Sequence, residues 1–403
     1  MFIHSIALRN LFKNKYRTFV SILMISGALV GVTLFRGYVL RTLDVIQTTI
    51  VNGQFGHLQL GTSEYWSQDY KNKKDVLLGD HKFMIEKIAS IPGVTAASPR
   101  MKFYGLLSTE QMSDSAMLIG IDPAKEKTFS VGLNMIEGKD VNVEDKKILV
   151  GTSLAKRLKL KLGDSVTLVA STLDQVVNAM DFQISGIFAT GAEEFDSVAA
   201  FINIIDAQKV MNSTAVDVVK ISVSDVSKLE EVKSRIENKF IDKKIEVRTW
   251  YQISSLFRKV ESFYNTQTGL MFSILVFIVL LGISNTVSMS LNERIGEIGT
   301  LRALGQSRLS LFNQFMLESF YLCFAALSIG AVISFFVTKI VNMANLTAEI
   351  PGASIPMPIE IGFYPQVVAG FGVALFFIVN FFTAILVIKF IRIKIVESLR
   401  HNI

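Results

Sequence analysis

Apolar residues fall along this chain in two regimes. A long apolar run at residues 20–35 is followed by more than two hundred residues of mixed character, and three further runs then occupy residues 269–291, 315–337 and 367–388. The hydrocarbon core of a bilayer is about 30 Å thick and takes roughly 20 helical residues to cross, and in lipid the backbone must satisfy its own hydrogen bonds. The pattern predicts four membrane helices, at 18–40, 268–291, 311–340 and 365–390, with a large domain at 41–267 inserted after the first.

Within the insertion the period changes. Short or alternating apolar runs predict strands at 116–121, 147–150, 165–169, 181–188, 199–203, 218–223 and 245–249. A helix is expected at 153–160, started by Thr152 or Ser153 and stopped at Gly163-Asp164. Another is expected at 226–240, where Leu229, Val232, Ile236 and Phe240 recur at helical spacing, and a shorter one at 82–90, ahead of Pro92-Gly93. The fold class that follows is an α-helical membrane protein with four transmembrane helices plus a large extracytoplasmic α+β domain, a β-rich subdomain at about 131–212 being inserted into the rest. Residues 254–267 contain no helix breaker and run into the second apolar stretch, which predicts a helical stalk. The single cysteine, Cys323, lies in the third apolar run, so the domain must be held by its core rather than by an intrachain disulfide.

Charge gives the expected orientation. Residues 41–261 carry 28 basic and 29 acidic side chains, which leaves 13 basic and 6 acidic ones for the membrane portion. Arg9, Lys13, Lys15 and Arg17 precede the first helix, Arg294, Arg302 and Arg308 lie between the second and third, and Lys389, Arg392, Lys394 and Arg400 follow the fourth. The connection at 341–364 has Glu349 and Glu360 and no Lys or Arg. Basic residues concentrate in cytoplasmic flanks, so both termini and the 292–310 loop are expected in the cytoplasm and the large domain outside. The basic excess sits at membrane flanks rather than on a soluble face, which argues against nucleic-acid binding. The first run is read as an uncleaved helix rather than a signal peptide. Ahead of it, residues 1–17 interleave Phe2, Ile3, Ile6, Leu8, Leu11 and Phe12 with Arg9 and Lys13, as in an amphipathic helix lying on anionic lipid headgroups.

Chemistry-bearing patterns are missing. Gly132 to Asp140 has one residue too many between its glycines for a phosphate loop, and Asp140 stands where the hydroxyl belongs. The four histidines, His4, His57, His81 and His401, are scattered, and no serine has a nucleophile-elbow context. No catalytic, cofactor-binding or metal-ligating residue is predicted. The acidic group Glu193, Glu194 and Asp196 reads as a solvated turn between strands rather than a cation site.

The informative polar segment is the loop at 292–308. Ile295, Ile298, Leu301 and Leu304 or Gly305 recur at three- and four-residue spacing, an apolar stripe on a short helix with Glu293, Glu297 and Arg302 beside it. Such a ridge suits a protein partner, and it also suits a helix resting on the bilayer.

The run Glu-Arg-x-x-Glu-Ile-Gly-x-Leu-Arg-Ala-Leu-Gly at 293–305 resembles the loop of the FtsX-like permease family, the MacB/LolC/LolE superfamily of ABC transporters. Arg9-Asn10-Leu11 with Lys15-Tyr16-Arg17-Thr18, the segment from Gly151 to Asp164, and Val396-Glu397-Ser398-Leu399-Arg400 resemble its N-terminal, outer-domain and C-terminal segments. The resemblance implies a non-catalytic permease chain in an inner membrane, paired with a second permease chain in a homo- or heterodimer. Two copies of a separate cytoplasmic ATPase would hold the ATP and magnesium. The 293–307 segment would be the coupling helix, with Glu293, Arg294, Glu297, Ile298, Leu301, Arg302 and Leu304 as its ATPase-coupling residues.

Residues 169–189 and 199–206 resemble the lipoprotein-releasing branch, which implies a lipoprotein or other lipid-associated substrate and a possible periplasmic partner. The chain departs from that branch in having no proline between Pro123 and Pro351, where its carrier-recruiting member bears a proline-containing hook. Direct hand-over to that carrier is therefore not expected. The efflux-type branch fuses its ATPase to the permease, and this chain shows no such segment. A membrane receptor whose inner loop recruits a signalling partner is the alternative that the residues alone leave open.

Overall fold

The computed structural model describes residues 9, 15–67, 72–126, 134–138, 144–240, 244–348 and 354–392. The chain divides into two compact units. One contains residues 1–43, 260–346 and 359–403, and the other contains Asp44–Lys259 and Thr347–Pro358. The expected interfacial helix at 1–17 and the tail at 391–403 fall almost wholly outside the described residues.

Four helices are long and apolar enough to cross a membrane, and the first to fourth membrane helices are Lys15–Thr49, Ser255–Glu293, Arg308–Met343 and Pro365–Ile391. All four were expected, but the first is longer than the apolar run at its centre. No breaker stops it at residue 40; it continues to Thr49 and through a π-helical turn, Ile50–Phe55, to Gly56, whose φ of 71° only glycine adopts readily. The second membrane helix includes most of the expected stalk in one piece.

Helix contacts in the bundle are made by small and hydroxylated residues. A Cβ on Gly330 would lie 3.1 Å from the Ser26 backbone, so the first and third helices approach as closely as glycine permits. Thr33 Oγ1 and Ser334 Oγ, both buried, are 2.9 Å apart on the same pair. Ile25, Ala28, Val279, Ile283, Ala326 and Val379, with the buried thiol of Cys323, fill the centre.

The inserted domain is built on a ten-stranded sheet with order β10-β1-β9-β2-β3-β8-β5-β7-β4, and β6 pairs with β2 and β7. The strands are β1 Leu58–Thr62, β2 Val94–Ser108, β3 Ser113–Ile121, β4 Asn134–Glu137, β5 Lys147–Gly151, β6 Ser165–Ser171, β7 Val177–Ala189, β8 Ala199–Asn203, β9 Val218–Val223 and β10 Ile245–Thr249. β3 shows how period-2 alternation builds both sides: Ala116 and Leu118 join the main core, while Met117 and Ile121 pack with Phe188 and Phe201 in a second cluster.

The expected subdomain boundary near 131 moves. β2 is fifteen residues long; its first part pairs with β9 and its second with β3 and β6. The strand-rich region therefore starts within β2, and one hydrophobic cluster continues from Leu60 through Leu107 to Ile184. The helix expected at 226–240 begins with a 3-10 turn at Val226–Lys228 and is α-helical over Leu229–Lys239. Ile204–Met211, within the stretch read as mostly strands, is a helix capped by the Asn203 side chain.

Candidate functional site

The loop between the second and third membrane helices forms the short helix Ile295–Ala303. Its end is fixed by local sequence. Gly305, at φ 95°, lets its own N–H reach Arg302 O at 3.1 Å and the Gln306 N–H reach Leu301 O at 3.0 Å, which satisfies two carbonyls that the helix leaves open. Ser307 then caps the third membrane helix, its side chain accepting from Ser310 N at 3.2 Å. A leucine, a glycine and a serine within four residues thus turn the chain from one helix into the next.

Among the described residues, polar links from Glu293, Arg294 and Arg302 fasten this helix and its approach to the bundle. Arg17 on the first membrane helix donates to Glu293 Oε2 at 3.1 Å. The Arg294 guanidinium reaches Glu318 on the third helix, 3.1 Å from Oε1 and 3.3 Å from Oε2, with both side chains about nine-tenths buried (10% and 12% exposed). Arg302 donates to the Ile391 carbonyl at the end of the fourth helix at 3.3 Å, a cation placed where helix carbonyls run out of partners. Glu318, inside the third apolar run, is thus the buried partner of Arg294.

The apolar stripe predicted as one ridge is divided. Ile298 is buried against Leu291, Leu311, Phe315, Val387 and Ile391, and Gly296 and Gly299 beside it are buried too. Leu301 is 39% exposed and Leu304 is 81% exposed. With Glu293 and Glu297, also exposed, they form the outward face. Of the seven predicted coupling residues, the structure therefore puts Arg294 and Ile298 inside, makes Arg302 a clamp on the fourth helix, pairs Glu293 with Arg17, and exposes Glu297, Leu301 and Leu304 on the outward face. Physically, three residues at 3.6 per turn leave Ile298 and Leu301 only about 60° apart, so the bundle covers one edge of the stripe and leaves the other edge exposed.

Behind the helix lies a cavity of about 80 Å³, lined by Ser21, Ser290, Glu318, Ser319 and Thr383 among apolar walls. Ser21 Oγ, on a residue 2% exposed, has no hydrogen-bond partner among the described residues. The end of the bundle that carries the short helix is thus polar and loosely filled, whereas its centre is closely packed. Among the described residues no group of His, Cys, Asp and Glu is arranged to hold a metal ion.

Four membrane helices, a surface helix clamped to one end of them and a large mixed domain inserted after the first define a membrane protein with a periplasmic-type domain. Residues 18–239 match the MacB-like periplasmic core domain and residues 269–395 the FtsX-like permease C-terminal domain. The chain belongs to this family of ABC transporter permeases, the MacB/LolC superfamily. It is similar to the lipoprotein-releasing system transmembrane protein LolC of Xylella fastidiosa (strain Temecula1), at 25% identity over 76% of this chain and 73% of that one. Similarity to LolC of Neisseria meningitidis is 25% over 79% and 77%. The macrolide export ATP-binding/permease protein MacB of Marinobacter nauticus is 26% identical over 48% of this chain and 30% of its own length. Among solved structures, the periplasmic region of MacB from Actinobacillus actinomycetemcomitans aligns with a TM-score of 0.37 at 13% identity, covering 50% of this chain and 92% of that one.

Proposed function

We propose that this chain is the membrane subunit of a mechanotransmission-type ABC transporter whose ATPase is a separate cytoplasmic subunit. Two ATPase copies, on a pair of permease chains, would press on the outward face of Ile295–Ala303 through Glu297, Leu301 and Leu304. The resulting motion would be used by the inserted domain, on the extracytoplasmic side, to release a lipoprotein or another lipid-associated substrate. ATP and its magnesium belong to the partner. The basic flanks support a cytoplasmic location for both termini and the short helix, and the names of the LolC relatives support the substrate class.

The observation that carries this reading is the division of the short helix. Arg294 and Ile298 fasten it to the bundle, while exposed leucines and a carboxylate on the other face offer a partner an apolar contact with flanking charge. A push on the outer face is delivered to three membrane helices through Glu293, Arg294 and Arg302. The test is copurification of the ATPase with Leu301→Asp. A charge placed in a desolvated contact costs several kcal/mol, so association should fall at least a hundredfold while the chain stays folded. Undiminished binding, with ATP hydrolysis still responding to substrate, would remove this helix from the coupling path.

A further inference from the structure

The turn between β7 and β8, read from sequence as solvated, contains a carboxylate with no exposure at all. Asp196 is 0% exposed and ends the short helical turn Glu193–Asp196. Its oxygens accept from Thr190 N at 3.0 and 2.9 Å and from Thr190 Oγ1 at 2.7 Å. The Asp196 backbone is pressed on the end of β5, where a Cβ on Gly151 would lie 2.3 Å from the Asp196 carbonyl oxygen. The carboxylate is thereby mounted where β5, β7 and β8 meet, toward the β4 edge of the sheet.

A further donor to this carboxylate comes from far along the chain. Ser354, in the connection between the third and fourth membrane helices, donates its hydroxyl to Asp196 Oδ2. The same connection carries a small antiparallel ladder that pairs Thr347 with Pro358 and Ala348 with Met357, with Ile359 N donating to Leu346 O at 2.7 Å at its neck. Its Thr347–Pro358 segment groups with the inserted domain rather than with the membrane helices. Burial raises the Asp196 carboxyl above the usual range, and the Ser354 and Thr190 hydrogen bonds oppose it. A buried carboxylate is tolerated only while such donors stay in place.

We propose that the connection between the third and fourth membrane helices is a strap held on the inserted domain by a latch between Ser354 and Asp196. Asp196 and Ser354 are then positioning residues. The Thr347–Pro358 segment is then held as part of the inserted domain's own unit. The inference rests on geometry and does not need the proposed ATPase coupling.

The test is hydrogen–deuterium exchange on the full chain in nanodiscs, comparing the wild type with Ser354→Ala. A hydrogen bond to a charged group is worth enough that its loss should raise amide exchange across residues 344–360 about tenfold, with exchange in β3, β5 and β8 unchanged. Equal exchange in the two proteins would overturn the proposal. Asp196→Cys combined with Ser354→Cys provides a second reading that does not depend on the strength of one bond. Mild oxidation should close an intramolecular disulfide in most of the chains, since the only native thiol, Cys323, is buried. Absence of that cross-link in a chain whose domain melts normally would also overturn it.

Discussion

The inserted domain and the helix bundle bury polar groups in opposite ways. In the domain, Arg100 and Glu126 are 2.6 Å apart at 5% and 4% side-chain exposure, and Lys220, fully buried on β9, reaches Glu126 at 3.4 Å and the Asn52 carbonyl at 2.7 Å. These three charges lie far from water, beside the π-helical turn that ends the first long helix. Among the described residues the bundle keeps charge out of its centre, where it uses hydroxyls such as Thr33 and Ser334, and places its ion pairs toward its two ends, Arg17–Glu293 and Arg294–Glu318 at the end that carries the short helix and Arg41–Glu360 at the other. A water-surrounded domain can enclose an ion cluster within apolar strands. Helices in lipid gain little from burying apolar surface against each other and depend on close approach and short polar links.

The largest expected effect comes from opening the domain's cluster. Glu126→Ala leaves Arg100 and Lys220 buried with no carboxylate between them, and removing one partner of a buried pair typically costs about 3–5 kcal/mol. Both tryptophans, Trp66 and Trp250, lie in the inserted domain, so intrinsic fluorescence should report its unfolding separately from the bundle. A melt that is unchanged in Glu126→Ala would mean that the cluster is not what holds β2 and β9 to the turn.

Opening the bundle's clamp should cost less, because its ion pair lies nearer to water. Arg294→Ala strands Glu318 against the short helix, with a loss of about 2–3 kcal/mol. The expected result is loss of ATPase binding with no change in the tryptophan melt. The exchange Arg294→Glu with Glu318→Arg should restore binding at least in part, which separates a lost ion pair from a lost arginine contact with the partner. If the swap binds no better than Arg294→Ala, the arginine itself touches the ATPase.

A pH series sharpens the same contrast. Burial, and then the charge of Arg100, push the Lys220 ammonium down to about 7, with Glu126 acting in the other direction. An unfolded lysine titrates at about 10.4. Between those values the unfolded chain binds more protons at this position, so the contribution of Lys220 to stability is constant below about pH 7 and becomes more favourable as pH rises above it. The slope is at most about 1.4 kcal/mol per pH unit. Lys220→Met should flatten the rise in domain stability between pH 7 and 9 relative to the wild type. Identical slopes would show that Lys220 remains charged in the fold.

The two regions were also unequally legible in sequence. In the domain, β8, β9 and β10 coincide with the predicted runs to the residue, because their side chains alternate or stay apolar between clear turn residues. β2 was missed: Pro99 lies inside it and argues against a strand, yet pairs opposite Val219, and only tertiary context admits it. Asp196 was misread as solvated because its long-range donor, Ser354, lies 158 residues away. In the bundle the four helices were plain, but a helix that is apolar all round does not say which face packs. For the same reason, the separation of Ile298 from Leu301 and the pairing of Arg294 with Glu318 were beyond reach, since both depend on which side of the short helix the bundle occupies. Periodicity locates an amphipathic surface; it does not say which neighbour uses it.

The smallest expected effect tests whether the short helix must end where it does. Gly305 has φ 95°, and no other atom lies within 4 Å of a Cβ placed there, so an alanine meets no obstacle except its own backbone preference. Gly305→Ala should therefore cost only about 1 kcal/mol, the strain of placing a side chain in left-handed conformation. That is too little to unfold the bundle. It is enough, though, to loosen the turn that presents Leu304 ahead of the third helix. ATPase affinity should fall roughly fivefold and the domain melt should not move. A loss as large as that expected for Leu301→Asp would mean that the turn, and not the leucine face, makes the principal contact; no loss at all would mean that the partner tolerates a shifted Leu304 and reads Leu301 alone.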